Sequence, residues 1–97
     1  EADAGYLDAV YMLGLMHIDA SNVVVEKMND LPRNAKKEYD KLNAEKDAEL
    51  ANALVFFEKA YGIDPKDEAT LQALREVYYK LGKYDDAKRI MEEMGNI

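Results

Sequence analysis

The sequence predicts an all-α fold built from antiparallel helical hairpins. Apolar and small residues recur at spacings of three and four on both sides of a single Asp-Pro pair, Asp64-Pro65. Helix formers dominate, only two prolines and five glycines are present, and no run of β-branched residues alternates with polar ones. We therefore expect four helices, the first two overlong, near residues 3–29, 34–62, 67–81 and 84–94.

The first predicted helix is long and amphipathic. Asp3 can cap its first turn. Its apolar positions follow at helical spacing: Tyr6, Val10, Leu13, His17, Ala20, Val24 and Met28. The pattern stops at residues 29–34, where Pro32 interrupts it and Asn34 can cap a second helix.

The second predicted helix carries its charge in its first half. Residues 36–49 are dense in basic and acidic side chains at i, i+3 and i+4 spacing, an arrangement that stabilises an exposed helix. We favour a solvated face here over a binding surface. Tyr39 and Leu42 are apolar exceptions, and we expect them to pack against the side of the first helix that carries Val24 and Met28.

Two shorter helices are predicted after the Asp-Pro pair. Pro65 lacks an amide hydrogen and biases Asp64 away from the helical conformation, so the second helix must end before it. Asp67 can cap the third helix, and Gly82 can adopt the left-handed conformation that ends it. Because Tyr84 opens the fourth helix after a very short turn, the two helices should form a tight antiparallel pair.

Size and charge restrict the class of protein. A chain of 97 residues supports one small domain. Thirteen basic residues against twenty acidic ones give a net charge of −7, which repels phosphate backbones and anionic lipid surfaces. No apolar run is long enough to span a bilayer. We therefore expect an acidic, soluble domain that binds neither nucleic acid nor membranes.

The cellular compartment is left open by the sequence. The absence of cysteine excludes disulfides and thiolate metal sites without fixing the redox environment. The chain starts at Glu1 without Met and without a charged-then-apolar leader. This start indicates a processed or excised piece, from which a targeting signal could have been removed.

No catalytic constellation is found in the sequence. His17 is the only histidine, and on an apolar helical stripe we interpret it as a packed aromatic substitute rather than a general base or a metal ligand. Metal-binding Glu-x-x-His elements, phosphate-binding Gly-rich loops and nucleophile elbows are missing. We expect a protein that is not an enzyme and uses neither cofactor nor metal.

A fixed order of small and bulky residues runs through residues 53–87. Its positions are Ala53, Phe57, Ala60 and Pro65, followed by Leu71, Leu74, Tyr78, Gly82, Tyr84 and Ala87. This order resembles the tetratricopeptide (TPR) repeat, and Val10, Gly14 and His17 resemble the first helix of the preceding repeat. The pattern departs at Arg75, Met91 and Met94, where TPR proteins carry small or aromatic residues.

The resemblance implies an unusual insertion in the first repeat. Gly14 and Ala53 lie 39 positions apart, whereas an ordinary TPR of about 34 residues places these two slots about a dozen apart. Shared between both helices at about 1.5 Å per residue, the extra length adds roughly 20 Å to the hairpin. We expect one domain over 1–97: a repeat at 1–65 with a helical arm around 20–48, and a second repeat at 66–97.

The resemblance also implies a protein interaction scaffold that holds a peptide or protein partner on its concave face. The inward-pointing residues implied are Tyr11, Leu15, Ile18, Gln72, Glu76, Tyr79 and Lys80. Tyr11 and Tyr79 are the expected binding hot spots, since aromatic residues often dominate interfaces. The basic residues with which some TPR proteins hold a terminal carboxylate are absent apart from Lys80, so that activity is not expected.

A structural assembly element is the alternative. It would self-associate through its arm or through open edges of the repeats, such as an apolar edge at Ile90, Met91, Met94 and Ile97. A concentration-dependent homo-oligomer would favour this reading over a monomer with a free concave face.

Overall fold

The computed structural model describes residues 4–95 and confirms the all-α prediction. Four helices follow one another: α1 (Ala4–Asn29), α2 (Lys36–Ile63), α3 (Glu68–Lys80) and α4 (Tyr84–Met94). No strand occurs within residues 4–95. Asp3 and Ile97, to which the sequence analysis gave roles, lie outside the described residues.

The long α1–α2 hairpin is helical through almost its whole length. The fold measures 52 × 27 × 15 Å, because the far halves of α1 and α2 extend beyond the other two helices as an arm. Residues 36–49 are helical, and none of their side chains is buried. Tyr39 is exposed rather than packed as expected, whereas Leu42 is half-buried.

The turn between α1 and α2 closes one residue later than the sequence suggests. The amide of Ala35 donates to the carbonyl of Pro32 at 3.1 Å, which places Asn34 inside the turn. Ala35 therefore becomes the residue that precedes α2, without a side-chain cap. The expectation that Asn34 caps this helix is wrong.

The core forms where α2 meets the second hairpin. Phe57 is fully buried there beside Leu71 and Leu74, and Tyr78 and Ala87 complete the contact. Ile90, which the sequence analysis placed at an exposed edge, is only 1% exposed and belongs to this core. Met91 is exposed as expected and Met94 is half-buried.

Gly14, and not Leu13, lies on the side of α1 that faces α2. Val10, Gly14, Ser21 and Val24 are buried, whereas Leu13 is exposed. A Cβ atom at Gly14 would lie 2.5 Å from a ring carbon of Phe57, so only glycine admits this close approach of α1 to the ring.

The caps of the second hairpin are those that the sequence predicts. The Asp67 carboxylate accepts from the amide of Thr70 at 3.0 Å and from its hydroxyl at 2.7 Å. Gly82 has a φ of 77°, the left-handed conformation expected at the end of α3. These local signals fix the short turns on either side of α3.

Tyr78 ties α3 to α2 and makes the fold sensitive to alkaline pH. Burial, assisted by a 2.7 Å hydrogen bond that its hydroxyl donates to Glu58, raises the pKa of Tyr78 to about 12. The unfolded chain releases this proton near pH 10. The stabilisation is therefore complete below about pH 10 and is lost as the pH rises through about 12.

Replacing Tyr78 with phenylalanine should flatten this alkaline loss of stability. At neutral pH we expect Tyr78→Phe to lower the free energy of unfolding by about 1 kcal/mol, since one hydrogen bond is removed. Between pH 10 and 12 the difference from the parent should shrink, because only the parent has this proton to lose. Urea denaturation at a series of pH values measures both curves; parallel curves up to pH 12 would contradict the assignment.

Candidate functional site

An open groove runs between α1 and α3, above the ring of Phe57. It has a volume of about 130 Å³. The residues that line it, which together we call the α1–α3 groove, are Tyr11, Leu15, Ile18, Phe57, Ala69, Gln72, Ala73, Glu76, Val77 and Lys80.

One wall of the α1–α3 groove is a stripe on α1. Tyr11, Leu15 and Ile18 recur at spacings of four and three, so they share one side of the helix. The ring of Tyr11 packs at a tilt of 52° on Phe57, with 5.5 Å between ring centroids. All three α1 side chains are half-buried, so they hold their positions while presenting apolar surface to the groove.

The opposite wall belongs to α3 and carries a polar rim. Ala69 and Ala73 are small and leave the groove open, while Gln72, Glu76 and Lys80 are exposed around it. The Lys80 ammonium lies 4.0 Å from the Glu76 carboxylate, one helical turn away. Such an exposed pair adds little stability, but it leaves the rim without net charge.

The groove brings together six of the seven site residues expected from the sequence. Tyr79 is the exception. It is 65% exposed and packs edge-on against Tyr84, with 5.2 Å between ring centroids. There it lines a separate depression of about 260 Å³, the α3–α4 pocket, which is formed by Arg75, Glu76, Tyr79, Ala87 and Met91.

The groove also contains residues without prominent chemistry that were not predicted as site residues. Ala69 and Ala73 line the same wall as Glu76 and Lys80, at spacings of four, three and four. This periodicity is visible in the sequence. Phe57 was predicted only as a packing residue and Val77 was given no role, and both line the groove in the structure.

A third depression lies on the arm, next to the stripe of Tyr11, Leu15 and Ile18 on α1. We call it the arm pocket; Ser21, Asn22, Val25, Lys46, Leu50 and Lys80 surround its volume of about 330 Å³. Lys80 borders both the α1–α3 groove and the arm pocket, so the two adjoin each other. Each of the two lysines at the border of the arm pocket also lies near a carboxylate of its own chain, Lys46 at 3.7 Å from Asp47 and Lys80 at 4.0 Å from Glu76.

The single histidine is engaged in packing between the two long helices. Its ring stacks on Phe56 at 5.5 Å, nearly parallel, and its Nδ1 atom lies 2.8 Å from a Glu49 carboxylate oxygen. Within residues 4–95, no three histidine or carboxylate side chains converge as a metal site would require. Over the same residues, no helix combines the length and the apolar character needed to cross a membrane.

Antiparallel helical hairpins that pack side by side place the chain in the class of α-helical repeat proteins. The model of the tetratricopeptide repeat family matches residues 42–97, more than half of the sequence, and the chain belongs to this family. Searches of curated proteins and of solved structures found no match. Tetratricopeptide repeats in general mediate protein–protein interactions and act as non-enzymatic scaffolds.

Proposed function

We propose that this chain binds a protein partner by taking a bulky apolar side chain of that partner into the α1–α3 groove. The observation that carries the proposal is the volume of the groove, about 130 Å³. An engineered cavity of about 150 Å³ in another protein accommodates benzene. The groove therefore matches one Leu, Met or Phe side chain.

The rim of the groove favours a peptide segment over an isolated apolar molecule. Gln72 offers both a hydrogen-bond donor and an acceptor, and the Glu76–Lys80 pair supplies one charge of each sign. A peptide backbone presents donors and acceptors in the same way. A peptide would therefore place an apolar side chain in the groove and pair its backbone with the polar side chains at the rim.

The stripe of Tyr11, Leu15 and Ile18 would align the bound segment with the axis of α1, so that it runs toward the arm. From Tyr11 to Val25, a helix rises about 21 Å, a distance that roughly six residues of extended peptide span. An acidic residue at that end of the segment would compete with Asp47 and Glu76 for the two lysines that border the arm pocket, Lys46 and Lys80. We propose a partner segment with an apolar anchor at one end and a carboxylate toward the other.

Filling the groove should weaken binding without altering the fold. Ala69 is exposed and lines the groove, so Ala69→Leu would occupy the space meant for the anchor. Peptides selected from a random library displayed on phage serve as the probe. Because burying one such side chain is worth about 1.5–3 kcal/mol, we expect Ala69→Leu to weaken binding by about tenfold or more.

Ala51→Leu is the matched control, because Ala51 is an exposed alanine on α2 outside every described pocket. It should bind the selected peptides like the parent. Equal binding by the Ala69→Leu variant, or a library that yields no specific peptide, would overturn the proposed site. Single Tyr11→Ala and Tyr79→Ala variants, each checked for unchanged helicity, remove one ring from the groove or from the α3–α4 pocket, and only the first should change affinity.

A further inference from the structure

One exposed apolar stripe lies on the side of α1 that faces away from the α1–α3 groove. It consists of the exposed Met12, Leu13, Met16 and Val23 and the half-buried Ala20, and we call it the outer α1 stripe. Met16 lies about 160° around the helix from Ile18 at 3.6 residues per turn. With 64% of Met16 exposed, this face contacts nothing within residues 4–95 that would cover it.

A second exposed apolar face lies around the α3–α4 pocket. Tyr79, Tyr84 and Met91 are all exposed there, and Met91 is 54% exposed. Proteins seldom leave large apolar patches in water unless a partner covers them. The molecule thus presents two apolar faces on different hairpins, one on α1 and one across α3 and α4.

The net charges beside these two faces have opposite signs, although Lys27 adds one cation on the α1 side and Glu76, which is paired with Lys80, adds one carboxylate on the other. Asp19 and Glu26 lie three residues after Met16 and Val23, so they border the outer α1 stripe. Beside the α3–α4 pocket, Arg75 lies one turn before Tyr79 and Lys88 lies three residues before Met91. None of these four charged side chains is in an ion pair with another residue of the described chain.

We propose that copies of this chain associate head to tail, with the outer α1 stripe of one copy docked on the α3–α4 pocket of the next. This arrangement sets Asp19 and Glu26 near Arg75 and Lys88, whereas a symmetric pairing of two outer α1 stripes would oppose acids with acids. Like charges across an interface disfavour that symmetric pairing. Charge complementarity therefore favours docking of the outer α1 stripe on the α3–α4 pocket of a second copy.

The proposed contact between copies resembles the contact between the two hairpins within one molecule. The second hairpin packs on the first mainly through α3 against α2. A new copy's α1 would pack on the α3–α4 hairpin in the corresponding way. Because the two faces differ, each copy keeps one free face after pairing, and the assembly grows into an open chain or closes into a ring.

Sedimentation of the purified chain tests this inference. The parent should show a mass that rises with concentration beyond that of a dimer. Met16→Lys sets a cation against Arg75 and Lys88, and Met91→Glu sets a carboxylate against Asp19 and Glu26, so each variant alone should remain a monomer. Mixed together, the two variants should form a one-to-one dimer, since each retains the face that the other lacks.

Val55→Glu is the matched control, because Val55 is 58% exposed on α2 and belongs to neither face. It should assemble like the parent, and circular dichroism should show unchanged helicity in all variants. A strictly monomeric parent at millimolar concentration, a Met91→Glu variant that still dimerises, or a mixture that stays monomeric would each overturn the proposal. The result is independent of peptide binding, because Ala69→Leu leaves both faces intact.

Discussion

Replacement of Phe57 with alanine is expected to remove a large share of the stability of the fold. The ring is fully buried, contacts the backbone of α1 at Gly14 and carries Tyr11 on one side. Truncating a buried Phe to Ala typically costs about 3–5 kcal/mol. Small domains have only about 5–15 kcal/mol of stability in total, so this loss is a large share of the free energy of unfolding.

The loss is measured by urea denaturation followed by circular dichroism. Phe57→Leu is the control, because it keeps an apolar side chain in the same place and should lose clearly less stability than alanine. A Phe57→Ala variant whose midpoint lies close to that of the parent would show that this ring does not hold the two hairpins together.

Replacement of Gly14 with alanine is expected to destabilise the fold although alanine is the better helix former. In a helix interior, the change from Gly to Ala by itself gains about 0.5–1 kcal/mol. At this position, however, three ring carbons of Phe57 lie 2.5–2.8 Å from the added carbon. Overpacking of this kind typically costs about 1–3 kcal/mol, so the net change should be a loss.

Gly62→Ala provides the matched control for Gly14→Ala. Gly62 also lies in a helix, but an added Cβ there meets no atom within 4 Å. We expect it to gain at most about 1 kcal/mol, the opposite sign to Gly14→Ala. Combining Gly14→Ala with Phe57→Leu should recover part of the loss, since the smaller side chain makes room. Independent effects of the two substitutions would contradict a direct contact.

The parts of the fold that depend on local chemistry could be predicted from the sequence. The cap at Asp67, the left-handed Gly82 and the helix that begins at Tyr84 each require only a few neighbouring residues, and all are found as expected. Asn34 failed as a cap because the turn closed through Pro32 and Ala35 instead. Two turns of similar composition were possible there, and the sequence does not distinguish them.

The rotation of each helix about its axis depended on distant residues and was harder to predict. Leu13 and Gly14 are both compatible with an inward stripe, and the ring of Phe57, 43 positions later, decides for Gly14. Tyr79 and Lys80 are neighbours about 100° apart on α3. The packing of α4 draws Tyr79 to its own side and leaves Lys80 on the groove. This choice depends on where the last helix lies.

The arm has a consequence for local opening of the molecule. On α2, residues 36–49 bury no side chain, and the facing part of α1 buries only Ser21 and Val24 beyond residue 20. Segments with few buried contacts open at a lower free energy than the core. The ends of α1 and α2 near Pro32 can therefore separate while Phe57 and Leu71 stay packed. Backbone amides there should exchange their hydrogens through such partial opening, and those around Phe57 only when the whole chain unfolds.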